Sequence, residues 1–231
     1  FSPLFSAGFY YKTFMGPHKS FWKKIYEPVI RKAAGLGKPP KEFKAISSHL
    51  HHNVDIVIVG GGINGLLAAE SLIDTEYDVL LIESDNQLGG VLNNSSKINE
   101  INGQNTQDWI KKTVENIEKS KNIKILKNTL VTTYNYINHL IAVEDKYVGA
   151  KPAEDKVNST LHKIRTEHVI LSNGHIERFL SFQNNDLPGI MLGASFEKYV
   201  CRYGVMPSKE PVIFSNNSNT NSLVKTLLEL N

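Results

Sequence analysis

Residues 54–67 read V-D-I-V-I-V-G-G-G-I-N-G-L-L, and this stretch decides the fold. The β-branched apolar run Val54 to Val59 has the composition of a parallel strand buried on both faces. It stops at three glycines, and an alanine- and leucine-rich segment, Leu66 to Ile73, then suits a helix. Gly60, Gly62 and Gly65 fall on G-x-G-x-x-G. The first glycine allows the tight turn, the second lets backbone approach a pyrophosphate, and the third lets helix and strand pack closely. The backbone N–H groups of Ile63 and Asn64 open the helix, where unpaired donors and partial positive charge suit a diphosphate.

A second strand, Asp78 to Ile82, comes next at βαβ spacing and ends on Glu83, with Ser84 beside it. A carboxylate at that strand end accepts hydrogen bonds from both ribose hydroxyls and repels a 2′-phosphate, which favours FAD or NAD over NADP. Gly89-Gly90, six residues beyond Glu83, makes a second glycine loop of the flavoprotein kind, with Gly90 passing close to the cofactor. The expected fold is α/β: a Rossmann-like FAD/NAD-binding fold of the glutathione-reductase type with an inserted antiparallel β segment and an aromatic-rich N-terminal extension.

Working outward, Asn105 to Ser120 carries Trp109, Ile110, Val114 and Ile117 on one helical stripe. The period then shifts to strands at Ile123–Leu126, Leu130–Tyr134, Leu140–Val143, Leu161–Arg165 and His168–Leu171, with a polar loop over Glu144 to Ser159. The last of these ends in Ser172-Asn173-Gly174, a turn that returns to the cofactor. The chain divides into three parts: residues 1–52 as a basic, aromatic extension and connector, 53–192 as the dinucleotide-binding domain with its β insert, and 193–231 as the start of a degenerate second nucleotide fold. In that last part a strand is expected at Pro211–Phe214 and a helix over Leu223–Leu230; the chain starts without Met and stops inside that helix, as a fragment of a longer subunit would.

Composition is that of a globular chain of 231 residues, long enough for a substantial core. No apolar run has the length of a membrane span, and no signal-peptide pattern opens the chain. Cys201 is the one cysteine, which excludes an intramolecular disulfide, and a buried small side chain is its default role. Residues 1–50 hold nine Lys or Arg against Glu27 and Glu42, a balance of +7 that leaves −4 for the rest of a chain of net charge +3. Basic residues interleaved with Phe9, Tyr10, Tyr11, Phe14, Phe21, Trp22 and Tyr26 can signal nucleic acid. With no nucleic-acid fold beyond them, the aromatics read instead as an anchoring surface. Phe21, Ile25, Val29 and Ala33 recur at helical spacing, with a kink expected at Pro28. Lys38 to His52 reads as a connector, and His49, His51 and His52 as a solvated loop rather than metal ligands.

Several stretches resemble the α subunit of heterotetrameric sarcosine oxidase: F-Y-Y-K-T-F-M from Phe9, Tyr26-Glu27-Pro28, I-R-K-A-A-G-L-G from Ile30, Q-N-N-D-L-P-G-I-M-L from Gln183 and R-Y-G-V from Arg202. The resemblance implies an NAD-binding portion of a larger cytoplasmic subunit, whose partners are the β subunit, further small subunits and the remaining α-subunit domains. In that family FAD and the sarcosine-oxidising site lie on the β subunit, and a covalently held FMN lies at the α/β interface. The whole complex converts sarcosine to glycine with hydrogen peroxide, passing the methyl carbon to tetrahydrofolate or releasing formaldehyde.

Carried over by residue, the resemblance gives the NAD pyrophosphate to Gly60, Gly62 and Gly65, the adenine ribose to Glu83, and an adenine contact to the backbone of Val131. Ser172 and Gly174 stand in the family's Ala-Thr-Gly turn, with its hydroxyl altered. After Pro211–Phe214 the family's loss of a second glycine motif recurs as S-N-N-S-N-T-N-S, so a second nucleotide is not expected there. No catalytic residue is assigned. His175, Glu177 and Arg178 lie where an interface flavin would approach, although a charged loop against a neighbouring domain is the favoured reading. The competing readings are the α subunit of an opine oxidase or related amine dehydrogenase, and a self-sufficient FAD-dependent oxidoreductase. The last needs a C-x-x-C or a second nucleotide site, and the sequence has neither.

Overall fold

A computed structural model describes residues 18–35, 46–94, 98–146, 157–217 and 221–230, which fall into two compact units divided between Lys44 and Ala45. In the first unit a helical run passes from Lys19–Phe21 through a π turn, Trp22–Tyr26, into α1, Glu27–Ala33. The wide turn has a local cause. Pro28 has no N–H and its ring crowds the carbonyl four residues back, and just before it the Glu27 N–H reaches Trp22 O instead of closing an α turn. Phe21, Ile25 and Val29 hold the expected apolar stripe, and all three are exposed. Phe9, Tyr10, Tyr11 and Phe14 lie outside the described residues.

In the second unit, six described strands form one sheet in the order β5-β2-β1-β8-β7-β6. They are β1 Ile46–Val59, β2 Val79–Ile82, β5 Ile123–Leu126, β6 Thr129–Asn135, β7 His139–Asp145 and β8 Val157–Leu171. Strands β5, β2, β1 and β8 run parallel, β7 adds antiparallel to β8, and β6 antiparallel to β7. A two-residue pair, β3 Glu100–Ile101 and β4 Gln104–Asn105, stands apart. The helices are α2 Ile63–Ser71, α3 Thr106–Lys119, α4 Gly193–Tyr203 and α5 Asn221–Leu230.

Strand β1 alternates its side chains between two cores. Ile56 and Ile58 pack with Leu66, Ala69, Val79, Leu81, Trp109, Ile110 and Ile117, so α2 and α3 cover that face. Val57, Leu80 and Ile82 pack on the other face with Leu140, Ala142 and Ile164 of the β insert. Burial on both faces is why this run is almost wholly apolar, each such side chain contributing on the order of 1.5–3 kcal/mol. Asn105 caps α3 by accepting the Gln107 N–H at 2.9 Å.

Four expectations need correction. The connector assigned to residues 38–52 is strand from Ile46 onward, because β1 runs eight residues before Val54 and pairs in parallel with Val157 to Thr166 of β8. His49, His51 and His52 therefore lie on a strand, not in a solvated loop. The two strands expected at Leu161–Arg165 and His168–Leu171 are one, β8, which serves β7 with its first half and β1 along its length. Pro211–Phe214 is not a strand: it is irregular, with Val212 and Phe214 largely exposed, since no neighbouring strand among the described residues takes up its backbone. Cys201 is exposed on α4 rather than buried.

Candidate functional site

The glycine turn joins the C-terminal end of β1 to α2, and its three motif glycines answer to different constraints. Gly60 has φ +100°, and a Cβ there would stand 2.4 Å from Ser172 O, so the close passage of β8 requires glycine. Gly65 is equally bound to the fold, since a Cβ would meet Gly60 O at 1.8 Å. Gly62 is different. It caps α2 with φ −72° and ψ −169°, backbone that any residue adopts, and a Cβ on it would meet nothing within 4 Å. The fold does not require glycine at 62, where a Cβ would point into open space in front of the helix.

Around that space the expected residues assemble. Glu83 leaves β2 almost fully buried, and its Oε2 accepts the Gly61 N–H at 2.7 Å. Its Oε1 accepts the Asp85 N–H at 2.7 Å and the Ser84 hydroxyl at 3.0 Å. The second glycine loop closes on the first: Gly89 N–H donates to Gly61 O at 2.8 Å, and a Cβ on Gly90 would stand 3.0 Å from Gly62 Cα. Positive φ at Gly89 and Gly90, +116° and +55°, makes that turn possible. Ser172 N–H donates to Val59 O at 2.7 Å, which brings the end of β8 against Gly60. Gly174, at φ +67°, lies two residues beyond in open surroundings.

Val131 is reached less directly. It is half-buried on β6 beside a bulge, packed against Leu140 and its neighbours. The start of β6 is what touches the site, through Thr129 N–H to Glu83 O at 2.9 Å and Asn128 N–H to Asp85 O at 3.0 Å. His175, Glu177 and Arg178 are exposed, and Glu177 Oε2 accepts the Ala194 N–H at 2.8 Å, capping α4.

Sequence reasoning missed Asp85 and its partner Arg202, which meet across 117 residues of chain. Arg202 Nη1 and Nη2 donate to Asp85 Oδ2 and Oδ1 at 2.6 and 3.0 Å, and Nη2 also donates to Asn86 Oδ1 at 2.8 Å. These hydrogen bonds hold the Asp85 carboxyl below the usual carboxylate range and push the guanidinium up. Arg202 stood only in a family-like stretch, and no local spacing joins it to Asp85.

A second polar cluster lies in the β insert. His52 and His162 meet Nε2 to Nδ1 at 2.8 Å, and His162 Nε2 approaches Glu144 Oε2 at 3.4 Å. Burial lowers both imidazoles from their ordinary 6.5; on His162 it outweighs the opposing pull of Glu144, and on His52 the charges of His162 and Lys124 add to it.

Strand, glycine turn, capless helix and strand-end acid together define the chain's class: it carries an NAD(P)-binding Rossmann-like domain, and the model for that family matches residues 58–110. The fold is shared with L-proline dehydrogenase from P. horikoshii, at a TM-score of 0.55 and 23% identity over 72% of this chain and 31% of that one. Along nearly its whole length the chain is also similar to sarcosine oxidase α subunits, as its N-terminal and Arg202 stretches led one to expect. The similarity is 34% identity over 98% of the chain to the subunit of Rhizobium meliloti (strain 1021), and 31% over 84% to that of Corynebacterium sp. (strain P-1). It spans 23% and 20% of those two subunits, about a fifth to a quarter of their length.

Proposed function

We propose that this chain is the NAD-binding segment of a sarcosine oxidase α subunit, within a flavoprotein complex that oxidatively demethylates sarcosine to glycine. The observation that carries the nucleotide part is Gly62: a glycine the fold does not need, at the mouth of a helix N-terminus, facing open space. A dinucleotide pyrophosphate fits there, received by the backbone N–H groups of Ile63, Asn64 and Gly65. In this reading Glu83 takes the adenine ribose, its carboxylate already fixed by Gly61, Ser84 and Asp85. Gly90, Val131, Ser172 and Gly174 border the same cofactor. A bound NAD would supply a ring able to take or hold a hydride. The chain's own groups bind and orient it, and none is assigned a proton transfer.

The flavins belong to the rest of the assembly in this reading: FMN at the interface with the β subunit and FAD on that subunit. Partner binding is supported by the exposed apolar residues between Ile176 and Phe214, among them Phe179, Phe182, Leu187 and Val212. The proposed setting is a cytoplasmic complex, taken from the resemblance; among the described residues no helix is long and apolar enough to cross a membrane. In this reading the nucleotide-binding part begins with β1 at Ile46 rather than at the expected boundary of 53 and extends to 192, and 193–231 open the degenerate second nucleotide fold.

The test is calorimetric titration of the chain with NAD, NADP and FAD, together with mass spectrometry of any ligand released on denaturation. NAD as the tightest ligand supports the reading. FAD as the tight or released ligand transfers the site to the self-sufficient flavoenzyme reading, and no binding of any dinucleotide removes the nucleotide role.

A further inference from the structure

Asp85 lies two residues past Glu83, and its polar groups hold three parts of the chain together. Its N–H secures Glu83 Oε1, its carbonyl accepts the Asn128 N–H at the entry to β6, and its carboxylate receives the guanidinium fork of Arg202 from α4. Lys198, one turn earlier on α4, places Nζ 3.7 Å from the same carboxylate. The Arg202 side chain is 11% exposed and that of Asp85 33%, so the bidentate pair is covered on its arginine side and partly open on its carboxylate side. Two cations therefore stand at one carboxylate just beyond the end of β2, Arg202 in a hydrogen-bonded pair and Lys198 in a looser, more exposed contact.

A guanidinium near the end of that strand is the group that accommodates a 2′-phosphate in NADP-binding relatives of this fold. Here it is present but engaged. We propose that Asp85 is a specificity-determining residue: by holding Arg202 and Lys198 it withholds from the ribose the cations that would receive a 2′-phosphate, and so enforces, together with Glu83, a nucleotide with a free 2′-hydroxyl. The inference rests on the assignment of Glu83 to the adenine ribose made above. Helix α4, outside the βαβ unit, is thereby part of nucleotide selection. An aspartate is ionised throughout the neutral range, and the Arg202 hydrogen bonds lower Asp85 further, so the restraint does not relax with ordinary changes of pH.

A pin that only fastened α4 would, when removed, weaken NAD and NADP alike. A specificity device changes their ratio, in a direction set by which charge is left free. The experiment titrates the full chain and its Asp85→Asn, Arg202→Met and Asp85→Asn/Arg202→Met variants with NAD and NADP, with folding followed by circular dichroism. Asp85→Asn is expected to shift the affinity ratio at least tenfold toward NADP, and Arg202→Met in the same chain to reverse most of that shift, leaving only the part carried by the freed Lys198. Arg202→Met alone removes one of the two cations and leaves the Asp85 carboxylate with Lys198, and is expected to sharpen the preference for NAD at least threefold, which keeps the test available if Asp85→Asn does not fold. Ratios unchanged in folded variants of a chain that binds NAD overturn this inference alone. A wild-type chain that binds neither nucleotide overturns the proposed site and this inference with it.

Discussion

The carboxylate of Glu83 accepts the N–H of Gly61 at 2.7 Å, so the acid expected to meet the ribose also fastens the turn expected to meet the pyrophosphate. Glu83 is 8% exposed, and a second backbone donor, Asp85 N–H, faces its other oxygen. Glu83→Gln keeps the shape but sets an amide NH2 against one of those two N–H groups. The expected result is a loss of about 2 kcal/mol of stability, the usual scale for a hydrogen bond to a charged group, and a weakened preference for NAD. Thermal unfolding and nucleotide titration of the same sample check both.

The three motif glycines should part company on substitution. Gly62→Val is expected to fold, with a cost of about 1 kcal/mol or less at a helix cap, and to bind NAD at least a hundredfold more weakly. Gly65→Ala is expected to unfold the domain or lower its melting temperature sharply, because its Cβ would drive into Gly60 O. Circular dichroism separates the two, and normal NAD binding by folded Gly62→Val would make the turn purely structural.

The His52–His162 pair gives the sheet a pH dependence. Both rings have pKa values lowered in the folded chain, so below the ordinary 6.5 the unfolded chain takes up more protons than the folded one. Stability is therefore full above that value and falls as pH drops from about 6.5 through the depressed folded values. Glu144, Lys124, Lys146 and His51 face the pair, and only Glu144 pulls the other way. Melting temperatures at pH 7.5 and pH 5 should differ in that sense, and less so in His162→Gln. The Asp85 carboxyl, also lowered, adds a separate loss only as pH falls below its ordinary 3.8.

The chain by itself should not oxidise sarcosine. The proposed reading leaves the oxidising site on another subunit, and the sequence holds no C-x-x-C redox pair. A peroxide assay with sarcosine and the purified chain is expected to stay at the blank level; turnover would place the active site here.

Limited proteolysis probes the N-terminal unit. Its exposed Phe21, Ile25 and Val29 need a surface to cover them, since so short a segment buries too little apolar area to offset its ordering entropy. Trimming is expected in the chain alone, to stop before Ile46 where β1 begins, and to be suppressed by the β subunit. Equal trimming with and without that subunit would show that these side chains anchor nothing on it.

What the sequence determined alone is the local unit whose signals are contiguous. The apolar run at Val54–Val59, the glycine spacing, Glu83 at the end of β2 and the stripe of α3 each record a constraint within a few residues, through periodicity, backbone freedom or charge at a strand end. Burial on both faces left an apolar signature, interrupted only by Asp55, over the last six residues of β1, and the structure agrees with it. The polar half of the same strand, Ile46 to Asn53, left no such mark, because two of its polar side chains find their partners more than a hundred residues away, Ser48 in Thr160 and His52 in His162. Tertiary structure alone decided that extension, the merging of two expected strands into β8, and the clamp of Arg202 on Asp85. It also separated Gly62 from Gly60 and Gly65, which look alike in the motif but differ in what would meet a Cβ. Hydrogen bonds and close approaches between segments distant in sequence carry no spacing rule, so they become visible only when the sheet brings those segments together.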